Sequence, residues 1–494
     1  MHRLAQLDLR YVWHPFTQMR DWLREEPIVI VSGKGARLWD AHGKEYLDGN
    51  SSIWTNLHGH NHGRLNAALI RQLRKIAHSS ALGLANEPAA LLAAALVQAT
   101  QPIKPDPSNS HGPLAKVFYS DDGSTALEVA LKLAYEYTKR TRGPSSHPRF
   151  LSLQGAYHGD TLGAVALGHI PLFRRNWNAL VFKTDTVMAP YCYRCPYNRA
   201  RPERADARAY RQCRWECVDA VAARLQRQQR MRGEPYAAFV VEPIIQGAAG
   251  MIPQPEGWLQ RVAELVRASN ILLIADEVMT GFGRTGLPMQ ESYTAAQAPL
   301  FACQHEAVQP DLLCLAKGLT GGYLPLAATL STQAIFDAFL GRYEEFKTFF
   351  HGHSYTANQL GCATALESLK LLRTNASLQA RRRLQQALAD SLPALWTIPQ
   401  VGDIRQVGLI VGVELVRDWT TRQPFDLREQ AGIRVCKAMA RRGVLTRPIG
   451  NVIVLMPPYC TTPRQVRQMI QVLMEACEEV FGPASRGRRK QRAR

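Results

Sequence analysis

A lysine at the end of a buried strand costs free energy unless it performs chemistry. Lys317 stands in that position, between the apolar run Asp311-Leu-Leu-Cys-Leu-Ala316 and Gly318-Leu-Thr-Gly-Gly322. Burial disfavours the ammonium and lowers its pKa, which makes the amine a nucleophile able to condense with a carbonyl. Upstream, Asp276-Glu277 closes the apolar segment 271–275, where a carboxylate can pair with a protonated ring nitrogen. Asp122-Gly123-Ser124 opens a helical stretch, and backbone amides with a hydroxyl at a helix start form a phosphate cradle. Tyr157, in Tyr157-His158-Gly159-Asp160, offers a ring for stacking on a heterocycle, with Val278 placed for the opposite face. Each feature alone also reads as ordinary structure: a helix cap, a loop aromatic, an ion pair at the core edge. Together, amine, ring-nitrogen partner, stacking aromatic and cradle describe one pyridoxal 5'-phosphate (PLP) site.

The elements that must position these residues follow from periodicity. Segments 27–31, 35–39 and 44–48 read as a small antiparallel sheet, followed by helical patterns over 65–77 and 88–98 and a loop of Pro, Ser, Asn and Gly over 104–113. Short apolar strands at 115–119, 149–153, 237–241, 271–275 and 312–315 then alternate with amphipathic helices such as 125–139 and 257–268. That alternation predicts an α/β fold, a mainly parallel sheet with helices on both faces. Ligands in such sheets sit beyond the carboxyl ends of the strands, where every suggestive motif falls. After about residue 375, strands at 408–415 and 452–456 and a helix at 463–480 predict a second lobe. The expected division is 1–50 and 375–483 for a small domain, 51–374 for a large one and 484–494 for a tail.

Charge and cysteines set limits. Of the net +19, six charges (Arg486, Arg488, Arg489, Lys490, Arg492, Arg494) lie in that tail, read as a disordered solvated segment rather than a nucleic-acid arm. No apolar run reaches the roughly 18 residues of a membrane span, and the start lacks a signal-peptide pattern, so cytoplasm is the expected location. The chain has ten cysteines. Cys192, Cys195, Cys213 and Cys217 cluster in an arginine-rich insertion at about 190–220; their spacing admits a structural metal, while free thiols are the plainer reading.

The segment Asp276-Glu-Val-Met-Thr-Gly-Phe-Gly-Arg-Thr-Gly286, with Lys317-Gly318, resembles the class III aminotransferases of fold type I. Trp13-His-Pro-Phe-Thr-Gln-Met19, Leu57-His-Gly-His-Asn-His62, Tyr157-His-Gly-Asp-Thr-Leu-Gly163, Phe349-Phe-His-Gly-His-Ser-Tyr-Thr356 and Thr446-Arg-Pro-Ile-Gly450 resemble one family of that class, the 7,8-diaminopelargonic acid synthases of biotin biosynthesis. The likeness runs from about residue 11 to about residue 480. It implies a large domain with a mainly parallel seven-stranded sheet, a smaller α+β domain built from both termini, and a homodimer with shared active sites. It implies PLP as cofactor and ping-pong transamination of 8-amino-7-oxononanoate (KAPA) to 7,8-diaminononanoate, with S-adenosylmethionine or L-lysine as amino donor. The alternative is another class III reaction, on ornithine, 4-aminobutyrate or an ω-amino acid with pyruvate.

By the same resemblance Lys317 joins the cofactor and shuttles a proton, Asp276 holds the pyridinium nitrogen, Tyr157 stacks on the ring, and Gly123 and Ser124 bind the phosphate. Gly352, His353 and Ser354 match a loop that enters the neighbouring subunit's phosphate site, and Arg447 matches the arginine that grips the KAPA carboxylate. Arg405 is a rival for that grip, read as structural. Phe16, Ile53 and Trp54 form the substrate wall, where better-known members carry a tyrosine and paired tryptophans. The stretch 287–300 reads as an insertion forming a surface loop.

Overall fold

The computed structural model describes residues 1–494 except 107, 110, 144–145, 231–233, 289–292 and 483–494, so the basic tail and part of the 287–300 insertion lie outside the described residues. Seven strands form the central sheet: β1 (Leu114–Ser120), β2 (Arg149–Leu153), β3 (Asp185–Val187), β4 (Tyr236–Val241), β5 (Leu272–Asp276), β6 (Leu312–Leu315) and β7 (Ala327–Thr332). Their order is β1-β7-β6-β5-β4-β2-β3. The run from β6 to β3 is parallel, whereas β7 is antiparallel to both of its neighbours.

Both faces of this sheet are covered, which explains why its strands are apolar without alternation. In β5, Leu272 and Ile274 join the cluster beneath the helix Gly123–Arg142, while Leu273 and Ala275 join the cluster that includes Leu92, Trp258 and Leu369 from helices on the other side. Successive side chains of a strand point to opposite faces, so one apolar run serves two cores.

The remaining strands draw on both ends of the chain. Val401–Val407, Ile410–Asp418, Val452–Leu455 and Pro448–Ile449 form an antiparallel sheet. Val444–Leu445 pairs in parallel with Glu45–Asp48, next to Arg37–Asp40 and Ile30–Lys34. The segment expected as one strand at 408–415 is thus the second arm of a hairpin turning at Gly408.

Among the described residues no group of three or more His, Cys, Asp or Glu side chains is arranged to hold a metal ion, and all four cysteines of the insertion are free. Burial, with the neighbouring thiols, pushes Cys192 up to about 12 and Cys217 up to about 11. Polar bonds hold the segment. Asn198 donates to the Cys192 carbonyl at 2.9 Å and accepts from the Gln212 amide at 2.9 Å, and Arg208 joins Asp206 to the Gln406 carbonyl. No helix of the described residues is long and apolar enough to cross a membrane.

Candidate active site

A cavity of about 740 Å³ opens beyond the carboxyl ends of β4, β5 and β6. Lys317 forms its floor at the start of a short 3-10 turn, Lys317–Thr320, with a left-handed φ of 43°. Burial lowers the pKa of its amine, partly offset by the negative charges of Asp276 and Glu242. The contact recorded for this amine is the indole face of Trp54, with Nζ 4.8 Å from the ring centroid.

The Asp-Glu pair divides across the strand end. Asp276 lines the cavity, whereas Glu277 turns into the core and accepts from the amides of Ala302 and Cys303 at 2.5 and 2.9 Å. Behind Asp276, the fully buried His158 places Nδ1 2.7 Å from Asp276 Oδ2. Burial works against protonating His158, but its bond to Asp276 and the charges of Asp276 and Glu242 outweigh it and raise its pKa. His158 therefore donates to Asp276. Glu242 stands at the end of β4 as Asp276 does at the end of β5; burial pushes it up to about 7 although it accepts from the Gly247 and Tyr157 amides.

Asp122 caps the helix Gly123–Arg142 through a reciprocal box with Thr125, leaving the amides of Gly123 and Ser124 uncommitted by the cap. Ser124 Oγ accepts from the Asp160 amide at 2.7 Å, so its own proton is free to donate outward. Glycines make this closeness possible: a Cβ on Gly159 (φ +123°) would fall 1.8 Å from Ser124 Oγ, and one on Gly123 would fall 2.7 Å from Val278. On the side of Tyr157, Phe173 packs edge-on at 5.9 Å and also meets Phe16 at 5.2 Å, while the Tyr157 hydroxyl donates to Asp160 at 2.8 Å.

Trp54 reaches the lysine from an unusual backbone. Ser51, Ser52, Ile53 and Trp54 have φ of 53°, 49°, 63° and 68°, a left-handed turn closed by the Trp54 amide on the Asn50 carbonyl at 2.8 Å. Such conformations cost about 1–2 kcal/mol per residue outside glycine, and the β-branched Ile53 is a marked outlier. Arg284, fully buried, donates to the Trp54, Asn56 and Pro457 carbonyls.

The class-III aminotransferase family model matches residues 19–477. The chain belongs to the class-III aminotransferases. Along its length this aminotransferase is 45% identical to an adenosylmethionine-8-amino-7-oxononanoate aminotransferase of Geobacter sulfurreducens, over 97% of this chain and 98% of the relative. The crystal structure of a protein of that name from Methanocaldococcus jannaschii superposes with a TM-score of 0.84 at 37% identity, covering 97% of this chain and 99% of the other. An ω-transaminase from Pseudomonas jessenii solved in complex with PMP gives a TM-score of 0.84 at 25% identity, covering 97% and 98%.

Class-III aminotransferases use PLP, and the residues present fit it. An amine set against an indole face, a buried carboxylate held by His158, and a cradle kept open by Gly123 and Gly159 match the aldehyde, ring nitrogen and phosphate of that molecule.

Of the residues singled out in the sequence, the aminotransferase gathers Trp54, Gly123, Ser124, Tyr157, Asp276 and Lys317 around the cavity. Phe16, Ile53, Gly352, His353, Ser354 and Arg447 stand outside its lining. His353 lies at the rim, 3.6 Å from Asp121, which does line it. Arg447 is exposed and holds no ion pair or hydrogen bond among the described residues. Its neighbour Ile449 packs against the cluster that includes Met279 and Met456, as Trp54 does. Arg405 is fully buried and engaged with Asp403 at 3.1 Å, Glu414 at 2.6 Å and the Tyr191 hydroxyl at 2.7 Å. Sequence reasoning gave no role to His158, Glu242 or Phe173. Glu242 carried a signal, since it follows an apolar strand as Asp276 ends one.

Proposed function

We propose that this aminotransferase moves an amino group onto the C7 ketone of KAPA, giving 7,8-diaminononanoate for biotin biosynthesis, with S-adenosylmethionine as the donor that leaves as the corresponding ketone. The observation that carries this reading is the 45% identity over nearly the whole chain to a relative of that name. ω-Transaminase and amine transaminase structures share the fold at 25–31% identity, below the 37% of the structure named for KAPA.

PLP, when bound, supplies an aldehyde that takes up amines and a ring that accepts the electrons released when a substrate C–H bond breaks. The chain supplies the rest. The lowered pKa of Lys317 lets its amine accept the proton from the donor carbon and return it to C7 of KAPA. Asp276, which accepts from His158, would partner a protonated ring nitrogen. Tyr157 and Val278, both in the cavity lining, would enclose the ring, and Trp54 would wall the substrate side. KAPA carries an ammonium beside its ketone and a carboxylate at the far end of its apolar chain. Asp160, at the cavity wall beside Tyr157, offers the ammonium a counter-charge, and the unpaired Arg447 offers the carboxylate a bidentate donor.

Arg447→Ala is expected to raise KM for KAPA by about 10²-fold with kcat nearly unchanged, because hydrogen bonds to charged groups contribute about 1.5–3 kcal/mol and about 1.4 kcal/mol is tenfold. An unchanged KM rejects the carboxylate role. Formation of diaminononanoate from KAPA, with adenosylmethionine and lysine supplied in turn, tests the reaction and the donor together; no product from either sinks the substrate assignment.

The active form is a cytoplasmic homodimer. Tyr343, Phe346, Phe350 and Tyr355 are 89%, 66%, 72% and 60% exposed along the segment that carries His353 to the cavity rim, an apolar surface suited to a second copy. Gly352, His353 and Ser354 then reach the partner's phosphate site. Light scattering after size exclusion is expected to give twice the chain mass, and Phe350→Asp with Tyr355→Asp to reduce it to one.

A further inference from the structure

We propose that Asp48 is a positioning residue for the aminotransferase reaction, setting Trp54 against Lys317 by locking the left-handed turn Ser51–Trp54. Four left-handed residues in succession, none of them glycine, do not persist unless surrounding structure imposes them. Asp48 supplies much of that imposition from one buried carboxylate, 1% exposed. Its Oδ1 accepts from the Ser52 amide at 2.9 Å, and its Oδ2 accepts from the Ser52 hydroxyl at 2.9 Å and from His60 Nε2 at 2.8 Å. His60 is fixed in turn, since its Nδ1 lies 2.9 Å from Asn56 Nδ2 while Asn56 Oδ1 accepts from the Gly59 amide at 2.8 Å. Donation therefore runs from Asn56 through His60 to Asp48, and from Ser52 to Asp48 on the other side, so that the carboxylate is the shared acceptor of both.

Asp48 and Lys317 belong to different parts of the molecule. Asp48 ends the strand Glu45–Asp48, paired with Val444–Leu445, and Ser51 Oγ donates to the Met456 carbonyl at 2.7 Å. Lys317 follows β6 of the central sheet. The turn is thus bolted to the sheets built from both termini and projects its indole over the amine of the large sheet. An asparagine at position 48 would break the direction of the bonds. Its amide nitrogen would face a His60 Nε2 that must then accept, forcing a proton onto Nδ1 against the Asn56 amide group.

The inference rests on the aminotransferase reading above, with Trp54 on the substrate side, and the test separates the two. In Asp48→Asn, Trp54 fluorescence, taken as the difference between the variant with Trp54 and the same variant with Trp54→Phe, is expected to be quenched by acrylamide at least twofold more strongly than in the unmodified holoenzyme. KM for KAPA is expected to rise about tenfold while the visible band of bound PLP is retained. In a Trp54→Ala background Asp48→Asn is expected to add less than twofold, since its effect runs through the indole. Equal quenching, or a Asp48→Asn penalty as large without Trp54 as with it, overturns the proposal. Failure of the unmodified enzyme to turn over KAPA removes the substrate reading, and the quenching comparison still decides the role of Asp48. If Asp48→Asn does not fold, Ser52→Ala removes the bond from the Ser52 hydroxyl alone and is read by the same quenching and cycle.

Discussion

Lys317→Ala is expected to lower kcat by about 10⁴-fold, the upper range for removing a positioned acid–base group, and to abolish the borohydride-sensitive visible band of bound PLP. The fold should survive. The amine makes its recorded contact with one indole face, and burial already penalises its charged form, so truncation removes a desolvated group rather than a bonded one. Thermal unfolding of the apo variant within a few degrees of the apo parent, alongside lost turnover, is the expected pair of results. A variant that keeps either the band or turnover would assign the covalent role to another amine.

Asp276→Asn is expected to cost about 10²–10³-fold in kcat/KM, the usual scale for deleting one preorganised electrostatic partner. Asparagine preserves the volume, and its oxygen still accepts from the Val278 amide, now 3.1 Å from Asp276 Oδ1, while its amide nitrogen faces His158 Nδ1, which then has to accept. What it loses is the negative charge facing the cavity, and with it the means to favour a protonated ring nitrogen. Weaker PLP binding in equilibrium dialysis, with an unchanged melting temperature of the apo protein, distinguishes this loss from misfolding. A kcat/KM within threefold of the parent would refute the assignment. His158 supplies a third comparison: His158→Phe should follow Asp276→Asn in direction, because without a donor behind it Asp276 faces an apolar wall.

The parallel strands were legible because they are buried on both faces and read as plain apolar runs, as with Leu272–Asp276 and Leu312–Leu315. Two strands were not. Asp185–Val187 is a three-residue edge strand, too short for a period to show, and Ala327–Thr332 mixes alanine, serine and threonine because it fits between β1 and β6 under tight packing. Its Thr329 hydroxyl donates to the Ala126 carbonyl at the start of the neighbouring helix, a use of a polar residue that composition reads as loop. In the candidate site the order of amine, carboxylate, aromatic and cradle could be read directly, since each follows a strand. The proton partner His158 could not, because its only distinction is a contact with a residue 118 positions away.

Sequence by itself determined the chemistry: a strand-end lysine, an acid at the end of another strand and a helix start rich in amides admit PLP catalysis, and their motifs carried the family. Tertiary structure alone decided which groups meet. It turned Asp276 to the cavity and Glu277 to the core, occupied Arg405 with Asp403 and Glu414 while leaving Arg447 free, and wound Ser51–Trp54 left-handed to bring an indole to the lysine. Residue type and local spacing set what a group can do, but hydrogen-bond partners and backbone strain are settled by segments far apart in the chain, and those become neighbours only on folding.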